Sequence, residues 1–209
     1  MVKYMALALA GYLLGSIPFA FLIAKALAHR DVRFEGDGNV GTRNALHVAG
    51  WTAGLLTMLL DGGKGAAAYW VGERFGSGDL SLYLTAFGLM LGHGYPIWLR
   101  WRGGKGLAAA AGFLSQMWPH AALIAVVIFL IARAVVSSFD LAFAIGSAGF
   151  FFVTAWEGND VQGLLFIVFL LGMAGVKKVL DLPYERALKA GSCSTEGMEE
   201  IQPAHRPPR

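Results

Sequence analysis

The stretch from Gly36 to Asn44 contains residue types that are suited to binding phosphate. It lies between two apolar runs, each long enough to cross a membrane. Glycine lets backbone N–H groups approach an anion closely, and a guanidinium such as that of Arg43 matches phosphate or carboxylate. The candidates for catalysis or phosphate binding in residues 36–44, which we call the glycine loop, are Asp37, Gly38, Asn39, Gly41, Arg43 and Asn44.

A second cluster, Gly103-Gly104-Lys105-Gly106, also directly follows a membrane-length run and is called the lysine turn. It precedes a helix predicted from Leu107, whose free N–H groups and dipole favour a phosphate. It is not a Walker A motif, because the spacing before Gly-Lys and the following Ser or Thr are missing. A similar run, Gly62-Gly63-Lys64-Gly65, lies inside a predicted span, where small residues favour close helix packing. Of these two Gly-Gly-Lys-Gly runs, we therefore expect the lysine turn to bind phosphate, and we expect Gly104→Ala to weaken substrate use more than folding.

Three ionisable side chains fall within predicted membrane spans. Asp61 and Lys64 are three residues apart, so they lie on one helical face and can pair. The pair either fixes helix packing or lines a substrate cleft. His93, near the end of the third span, is a base, a phosphate donor or a histidine that binds a neighbouring carbonyl. These alternatives stay open at the level of sequence.

The composition is that of an integral membrane protein. Of 209 residues, 56% are hydrophobic and 15% are charged, against roughly 45–50% and about 25% in soluble domains. We expect one helical bundle in the lipid bilayer, without a second folded domain. The net charge of +3 does not indicate a nucleic-acid partner. The single cysteine, Cys193, permits no intramolecular disulfide, and we expect neither a metal nor a cofactor.

The apolar runs predict an all-α protein with seven transmembrane helices. They lie at about 4–27, 51–71, 80–99, 107–118, 120–136, 139–156 and 161–179. Pro18 should kink the first, and the fourth must be short or tilted because Pro119 follows it. Residues 1–189 form the membrane domain, and residues 190–209 are expected to be a disordered cytoplasmic tail.

The distribution of basic residues supports seven spans over six. With seven, one side carries Arg30, Arg33, Arg43, Arg100, Arg102, Lys105, Arg133, Lys177, Lys178, Arg186 and Lys189, whereas the other carries Lys3 and Arg74. Basic loops face the cytoplasm. We therefore expect an N-terminus outside and a C-terminus inside.

Several short motifs occur in a characteristic order within the first 115 or so residues. They are Gly15-Ser16-Ile17-Pro18, Gly36-x-Gly38-Asn39-Val40-Gly41-x-x-Asn44, Asp61-x-x-Lys64-Gly65, Gly92-His93 before a proline, and Arg102-Gly103-Gly104-Lys105-Gly106. Together they resemble the bacterial acyl-phosphate-dependent glycerol-3-phosphate acyltransferases. The resemblance implies a multi-pass enzyme of the bacterial inner membrane. Such an enzyme transfers a fatty acyl group from acyl phosphate to the 1-hydroxyl of glycerol 3-phosphate, giving lysophosphatidate for phospholipid synthesis.

The resemblance also suggests supporting residues and shows departures from the family pattern. Supporting residues are Ser16, Asp61, Lys64, Ser137 and Ser138. Asp37 occupies a position where the family usually has serine. His47 occupies a position where the family has an arginine, and we propose Arg43 as the residue that takes over that arginine's role. The family's motif after the last span is not recognisable in residues 177–189. The His-x-x-x-x-Asp motif of acyltransferases that use acyl-CoA does not occur in the chain.

The chemistry requires two phosphorylated reactants to be held in line, because acyl phosphate is already an activated anhydride. We expect the lysine turn to hold one phosphate, and Arg43, Asn39 and Asn44 to hold the other or face the oxyanion. The base is Asp37, His93 or a phosphate oxygen of the substrate. Two other functions stay open, a small anion transporter and a non-catalytic homologue that binds phosphorylated lipid.

Overall fold

The computed structural model describes residues 1–158 and 160–191, and their regular secondary structure is helical. The helices are α1 (Val2–Gly15), α2 (Phe19–Ala28), α3 (Thr42–Phe75), α4 (Asp79–Gly94), α5 (Leu107–Met117), α6 (Pro119–Val135), α7 (Phe139–Trp156) and α8 (Val161–Lys189). Most of the predicted tail, including Cys193, lies outside the described residues.

Several segments are suited to a bilayer. Val2–Ala28, Phe139–Trp156 and Val161–Lys189 are long and apolar enough to cross a membrane, and α5 and α6 are shorter apolar helices. The short fourth run is confirmed as a helix of 11 residues. Buried side chains of α3, α4, α5 and α8 form the main core, among them Ala68, Leu89, Phe113 and Leu170.

The kink predicted at Pro18 is confirmed as a break between α1 and α2. Proline cannot donate a backbone hydrogen bond, so carbonyl groups in the preceding turn lose their helical partners. The ammonium of Lys64 takes over this role: Nζ donates to the carbonyl oxygens of Gly15 at 3.0 Å and Ile17 at 2.8 Å. A side chain of α3 therefore stabilises the broken first helix.

Glycines bring α1 and α4 into backbone contact. A Cβ atom at Gly11 or Gly15 would overlap carbonyl oxygens of α4, and one at Gly88 or Gly92 would overlap carbonyl oxygens of α1. Small residues at four-residue spacing allow membrane helices to approach this closely. The contact places the break in the first helix beside the end of α4, where His93 lies.

The predicted start of the second span at Trp51 is confirmed, because α3 is interrupted at Gly50, whose φ of 87° breaks the helix. The loop before it was predicted without a helix, yet it contains the first part of α3, from Thr42. Two predicted ends were wrong. α4 ends at Gly94 instead of residue 99, because Tyr95 precedes a proline, which disfavours helical backbone. α8 continues past residue 179 to Lys189, and its polar final turns pack on the glycine loop.

The end of α8 connects the polar segments at one end of the bundle. The hydroxyl of Tyr184 donates to the carbonyl oxygen of Arg33 at 2.7 Å. The guanidinium of Arg102 lies over the Tyr184 ring, 4.4 Å from its centroid. α8 thus joins the first loop to the segment that leads into the lysine turn.

Candidate active site

Asn44 supports the backbone of the glycine loop. Its side chain is buried, and Nδ2 donates to the carbonyl oxygens of Val32 at 2.8 Å and Glu35 at 2.9 Å. Its Oδ1 accepts a hydrogen bond from the Asp37 N–H at 3.1 Å. Both amide hydrogens are used, so in this arrangement Asn44 shapes the loop instead of offering a donor to a substrate.

The glycine loop turns through Asp37 and two glycines with positive φ. Gly36 and Gly38 have φ values of 67° and 71°, and Asp37 Oδ1 accepts from the Asn39 N–H at 3.1 Å, as in an Asx turn. Tyr184 of α8 packs directly against Gly38. Asn39 Oδ1 is buried without a hydrogen-bond partner in the part of the chain that the structure describes.

Arg43 contacts the start of α7. Its Nη1 lies 3.0 Å from Asp140 Oδ1, and its guanidinium lies over the Phe139 ring. Lys178 of α8 approaches the same carboxylate at 3.4 Å. The side chain of Arg43 is 48% exposed, so it is accessible from solvent. The structure therefore joins the glycine loop, α7 and α8 through one exposed charge cluster.

The predicted supporting serines lie just before this cluster. Ser138 Oγ accepts a hydrogen bond from the Leu141 N–H at 3.3 Å and caps α7. The backbone carbonyl of Ser137 accepts from Arg133 at 3.3 Å. Both contacts order the start of α7, whose first turn contains Asp140.

The first two N–H groups of the lysine turn are used within the protein. The Gly103 N–H donates to the Gly94 carbonyl at 3.1 Å, and the Gly104 N–H donates to the His93 carbonyl at 3.0 Å. These two N–H groups, which we expected to bind phosphate, are therefore already bonded to carbonyl oxygens at the end of α4.

The remaining N–H groups of this segment are available. Those of Lys105, Gly106 and Leu107 donate no hydrogen bond to the described residues. Gly106, with φ 81°, leads directly into α5. These donors lie at a helix N-terminus, where the dipole favours an anion.

Lys105 is paired with the end of α8. Its Nζ lies 2.7 Å from Glu185 Oε1, and the two side chains are 16% and 11% exposed. Two turns earlier on α8, Lys177 Nζ contacts both carboxylate oxygens of Asp181, at 2.5 and 2.6 Å. The sequence analysis missed Asp181 and Glu185 as site residues. Lys177, Asp181 and Glu185 recur every four residues, a spacing that would have indicated one helical face had α8 been predicted past residue 179.

Asp61 and Lys64 form the predicted ion pair. Lys64 Nζ lies 2.8 Å from Asp61 Oδ1, and both side chains are buried. The ammonium also donates to the carbonyl oxygens of Gly15 and Ile17. These contacts fix the packing of α3 against the first helix, as the structural interpretation of Lys64 expects.

His93 and Ser16 share a small cavity with this ion pair. His93 Nδ1 lies 3.8 Å from Asp61 Oδ1, and the histidine is only 6% exposed. The His93 carbonyl holds the Gly104 N–H, and the ring lies against Gly104. His93 thus packs against the lysine turn on its buried side and holds it in position.

A larger cavity, of about 420 Å³, lies between α4 and α8. Its walls include Met90 and Leu91 of α4 and Phe169 and Met173 of α8. Lys105 and Lys177 also line it. We call it the α4–α8 groove. Its volume is that of a small-molecule site, and it combines two ammonium groups with apolar walls.

Comparison with known proteins identifies the family. The family model described as glycerol-3-phosphate acyltransferase matches residues 5–179. The chain belongs to this family. A glycerol-3-phosphate acyltransferase 2 of Dehalococcoides mccartyi (strain CBDB1) is 34% identical over 184 residues, covering 88% of this chain and 87% of that protein. A glycerol-3-phosphate acyltransferase of Rhodopseudomonas palustris (strain HaA2) is 36% identical over 173 residues, covering 80% and 85%.

The fold of this acyltransferase family member matches a solved membrane protein. The crystal structure of PlsY (YgiH), an integral membrane glycerol 3-phosphate acyltransferase, superposes in its glycerol 3-phosphate form with a TM-score of 0.76. The sequences are 28% identical, and the match covers 90% of this chain and 92% of that chain. Its lysophosphatidic acid form gives a TM-score of 0.74. The predicted family and the all-helical integral membrane fold are therefore confirmed, and the chain is a membrane acyltransferase of this family.

Proposed function

We propose that this membrane enzyme transfers a fatty acyl group from acyl phosphate to the 1-hydroxyl of glycerol 3-phosphate. The products are lysophosphatidate and inorganic phosphate. The observation that carries the proposal is the α4–α8 groove, in which Lys105 and Lys177 line a cavity with apolar walls. An acyl phosphate has the same two parts, an anionic head and a hydrocarbon tail. The related enzymes carry the name of the acceptor substrate.

The head of the donor is bound by charge and by backbone donors. The ammonium groups of Lys105 and Lys177 donate hydrogen bonds to the phosphate, and the free N–H groups of Lys105, Gly106 and Leu107 at the start of α5 are further donors. Glu185 and Asp181 hold the two lysines when no phosphate is present. Because each ammonium has three hydrogens, a phosphate oxygen can be added without breaking these ion pairs.

The reaction is a direct acyl transfer. The 1-hydroxyl oxygen of glycerol 3-phosphate attacks the acyl carbonyl carbon, and the bond from that carbon to the phosphate oxygen breaks. Phosphate leaves with the bonding electrons, while the hydroxyl proton passes to Asp37 or to a phosphate oxygen. Arg43, half exposed on the first turn of α3, is assigned to the acceptor phosphate.

His93 is assigned a positioning role. It is buried beneath the lysine turn and faces Asp61. We therefore assign proton removal to a group closer to solvent, Asp37 or a phosphate oxygen.

The site lies on the cytoplasmic side of a bacterial inner membrane. We count α1 and α2 as one broken span, which with α3 to α8 gives seven spans. Basic residues of the first loop, the lysine turn and the end of α8 lie together, as the contacts of Tyr184 with Arg33 and Arg102 illustrate. Basic segments of this kind face the cytoplasm.

The test is a donor comparison with the purified full chain. Palmitoyl phosphate and glycerol 3-phosphate should give lysophosphatidate, whereas palmitoyl-CoA at the same concentration should give none. Product from palmitoyl-CoA alone would contradict the donor assignment. Tight binding of palmitoyl phosphate without any product would instead indicate a non-catalytic homologue.

A further inference from the structure

We propose that the end of the α4–α8 groove that lies away from Lys177 selects the length of the acyl chain, with Phe169 as its wall and Gly172 as the position that sets its depth. This inference rests on the proposed function, because it takes the occupant of the groove to be the acyl chain of acyl phosphate. Neither residue belongs to the motifs that carry the family resemblance.

The groove follows one face of α8. Lys177, Met173 and Phe169 all line it and are spaced by four residues, so they lie one above another along the helix. Eight residues at about 1.5 Å each place Phe169 roughly 12 Å from Lys177 along the axis. A chain whose phosphate lies at Lys177 therefore runs past Met173 toward the Phe169 ring.

The chemistry of the lining supports a hydrocarbon chain as the occupant. Between Lys177 and Phe169 the α8 side of the groove is formed by Val176, Met173 and Gly172, which have no charge. Val176 is 61% exposed and Phe169 is 48% exposed on the apolar outer surface of the bundle. The groove is thus open toward the bilayer, from which an acyl phosphate can enter sideways while its head stays at the two lysines.

An aromatic contact forms the wall. The rings of Phe169 on α8 and Phe87 on α4 have centroids 6.1 Å apart, within the range of an attractive ring pair. The pair bridges the two helices that form the groove. A longer acyl chain must displace these rings or leave the groove into lipid.

Gly172 leaves space in front of this wall. A Cβ atom at Gly172 would have no heavy atom within 4 Å, and the residue lines the groove. A larger side chain there can occupy groove volume without striking the protein. Gly175 is a matched control, because it is also an exposed glycine of α8 with open space around its Cβ but does not line the groove.

The experiment compares Gly172→Leu with Gly175→Leu, using acyl phosphates from butanoyl to stearoyl with glycerol 3-phosphate. Gly172 is five residues, or about 7.5 Å, from Lys177 along the helix, so a butanoyl chain ends before it. Gly172→Leu should lower kcat/KM for palmitoyl phosphate about tenfold, equivalent to losing about two buried methylene groups, and should leave butanoyl phosphate unchanged. Gly175→Leu should keep the wild-type profile. Phe169→Ala should shift the preference the other way, toward stearoyl phosphate.

The outcomes separate this inference from the proposed function. If wild type transfers acyl groups but Gly172→Leu and Gly175→Leu share its chain-length profile, the groove does not hold the chain. An equal loss for all chain lengths in Gly172→Leu would overturn the inference as well. Absence of transfer by wild type with every acyl phosphate would overturn the proposed function itself. Gel filtration of each variant in detergent checks that it is folded.

Discussion

Lys105 and Glu185 are 80 residues apart in the chain, yet the Lys105 ammonium lies 2.7 Å from the Glu185 carboxylate. This pair joins the lysine turn to the end of α8, and both side chains are largely buried. Its consequence is that Lys105 is held at the groove before any substrate arrives. Holding a cation in place in advance reduces the ordering cost of binding an anion.

Lys105→Ala should therefore lower kcat/KM strongly. A charge-assisted contact to a phosphate is worth about 1.5–3 kcal/mol, or roughly 10- to 150-fold in kcat/KM. The control is Lys189→Ala, which removes an exposed lysine of α8 that lies outside the groove. Steady-state kinetics with acyl phosphate as the varied substrate measure the effect. Equal kinetics for the two variants would remove Lys105 from the phosphate site.

Lys64→Met should destabilise the protein severely. It leaves the Asp61 carboxylate buried without its partner and removes a donor from the carbonyl oxygens of Gly15 and Ile17, of which the second keeps the N–H of Phe19 at 3.1 Å. Breaking a buried ion pair costs about 3–5 kcal/mol, so we expect a large fall in Tm in detergent. Adding Asp61→Asn should recover part of that loss, because no charge is then left unpaired. If the double variant is no more stable than Lys64→Met, the pair is not the source of the destabilisation.

Gly104→Ala should damage folding as well as substrate use, contrary to the expectation from sequence. A Cβ atom at Gly104 would overlap the His93 ring and the carbonyl oxygen of Val40, and neither backbone nor buried ring can move easily. We expect a Tm clearly below wild type. Gly63→Ala is the control, since nothing lies within 4 Å of a Cβ at Gly63. A Gly104→Ala protein with wild-type Tm and an altered KM would instead support the expectation from sequence, that Gly104 matters for substrate binding more than for folding.

Variants of Arg43 and Asp140 distinguish a phosphate-binding role of Arg43 from its role in the ion pair with Asp140. An exposed ion pair contributes only about 0–1 kcal/mol, so Asp140→Ala should change kcat/KM by less than about fivefold. If Arg43 binds a phosphate, Arg43→Ala should lose roughly 10- to 150-fold, with Arg43→Lys in between. His47→Arg should restore part of the Arg43→Ala loss. Equal, small effects of Arg43→Ala and Asp140→Ala would show that Arg43 only forms the surface ion pair and does not bind a phosphate.

The membrane helices were predictable because hydropathy and chain breakers act locally. Pro18 predicted the break in the first helix, and the three-residue spacing of Asp61 and Lys64 predicted their ion pair. The end of α8 was not predictable in this way. Its final turns are polar and contain Pro183, and they are held by contacts with distant residues such as Arg33 and Lys105. A local pattern does not contain such partners.

The candidate site was also predictable only in part. Residue types identified the glycine loop and the lysine turn, but their roles depend on which donors the fold leaves free. The backbone N–H groups of Gly103 and Gly104 are used by the end of α4, and the amide of Asn44 is used by its own loop. The α4–α8 groove depends on two helices about 80 residues apart, and its lining has no signature in sequence.

The orientation in the membrane is tested by cysteine labelling. In a Cys193→Ser background, Glu157→Cys should react with a membrane-impermeant maleimide in intact cells, because the proposed topology places the loop before α8 outside. Lys189→Cys should react only after the cells are permeabilised. The opposite pattern would invert the proposed topology, and labelling of both sites in intact cells would exclude an odd number of spans between the two ends.

The most direct measurement of the central claim follows the oxygen atom of the attacking hydroxyl. Purified protein is incubated with palmitoyl phosphate and glycerol 3-phosphate labelled with oxygen-18 at the 1-hydroxyl, and both products are analysed by mass spectrometry. Attack at the acyl carbon predicts labelled lysophosphatidate and unlabelled inorganic phosphate in equal amounts. Unlabelled lysophosphatidate, release of free fatty acid with a doubly phosphorylated glycerol, or no lysophosphatidate at all would contradict the proposed acyl transfer.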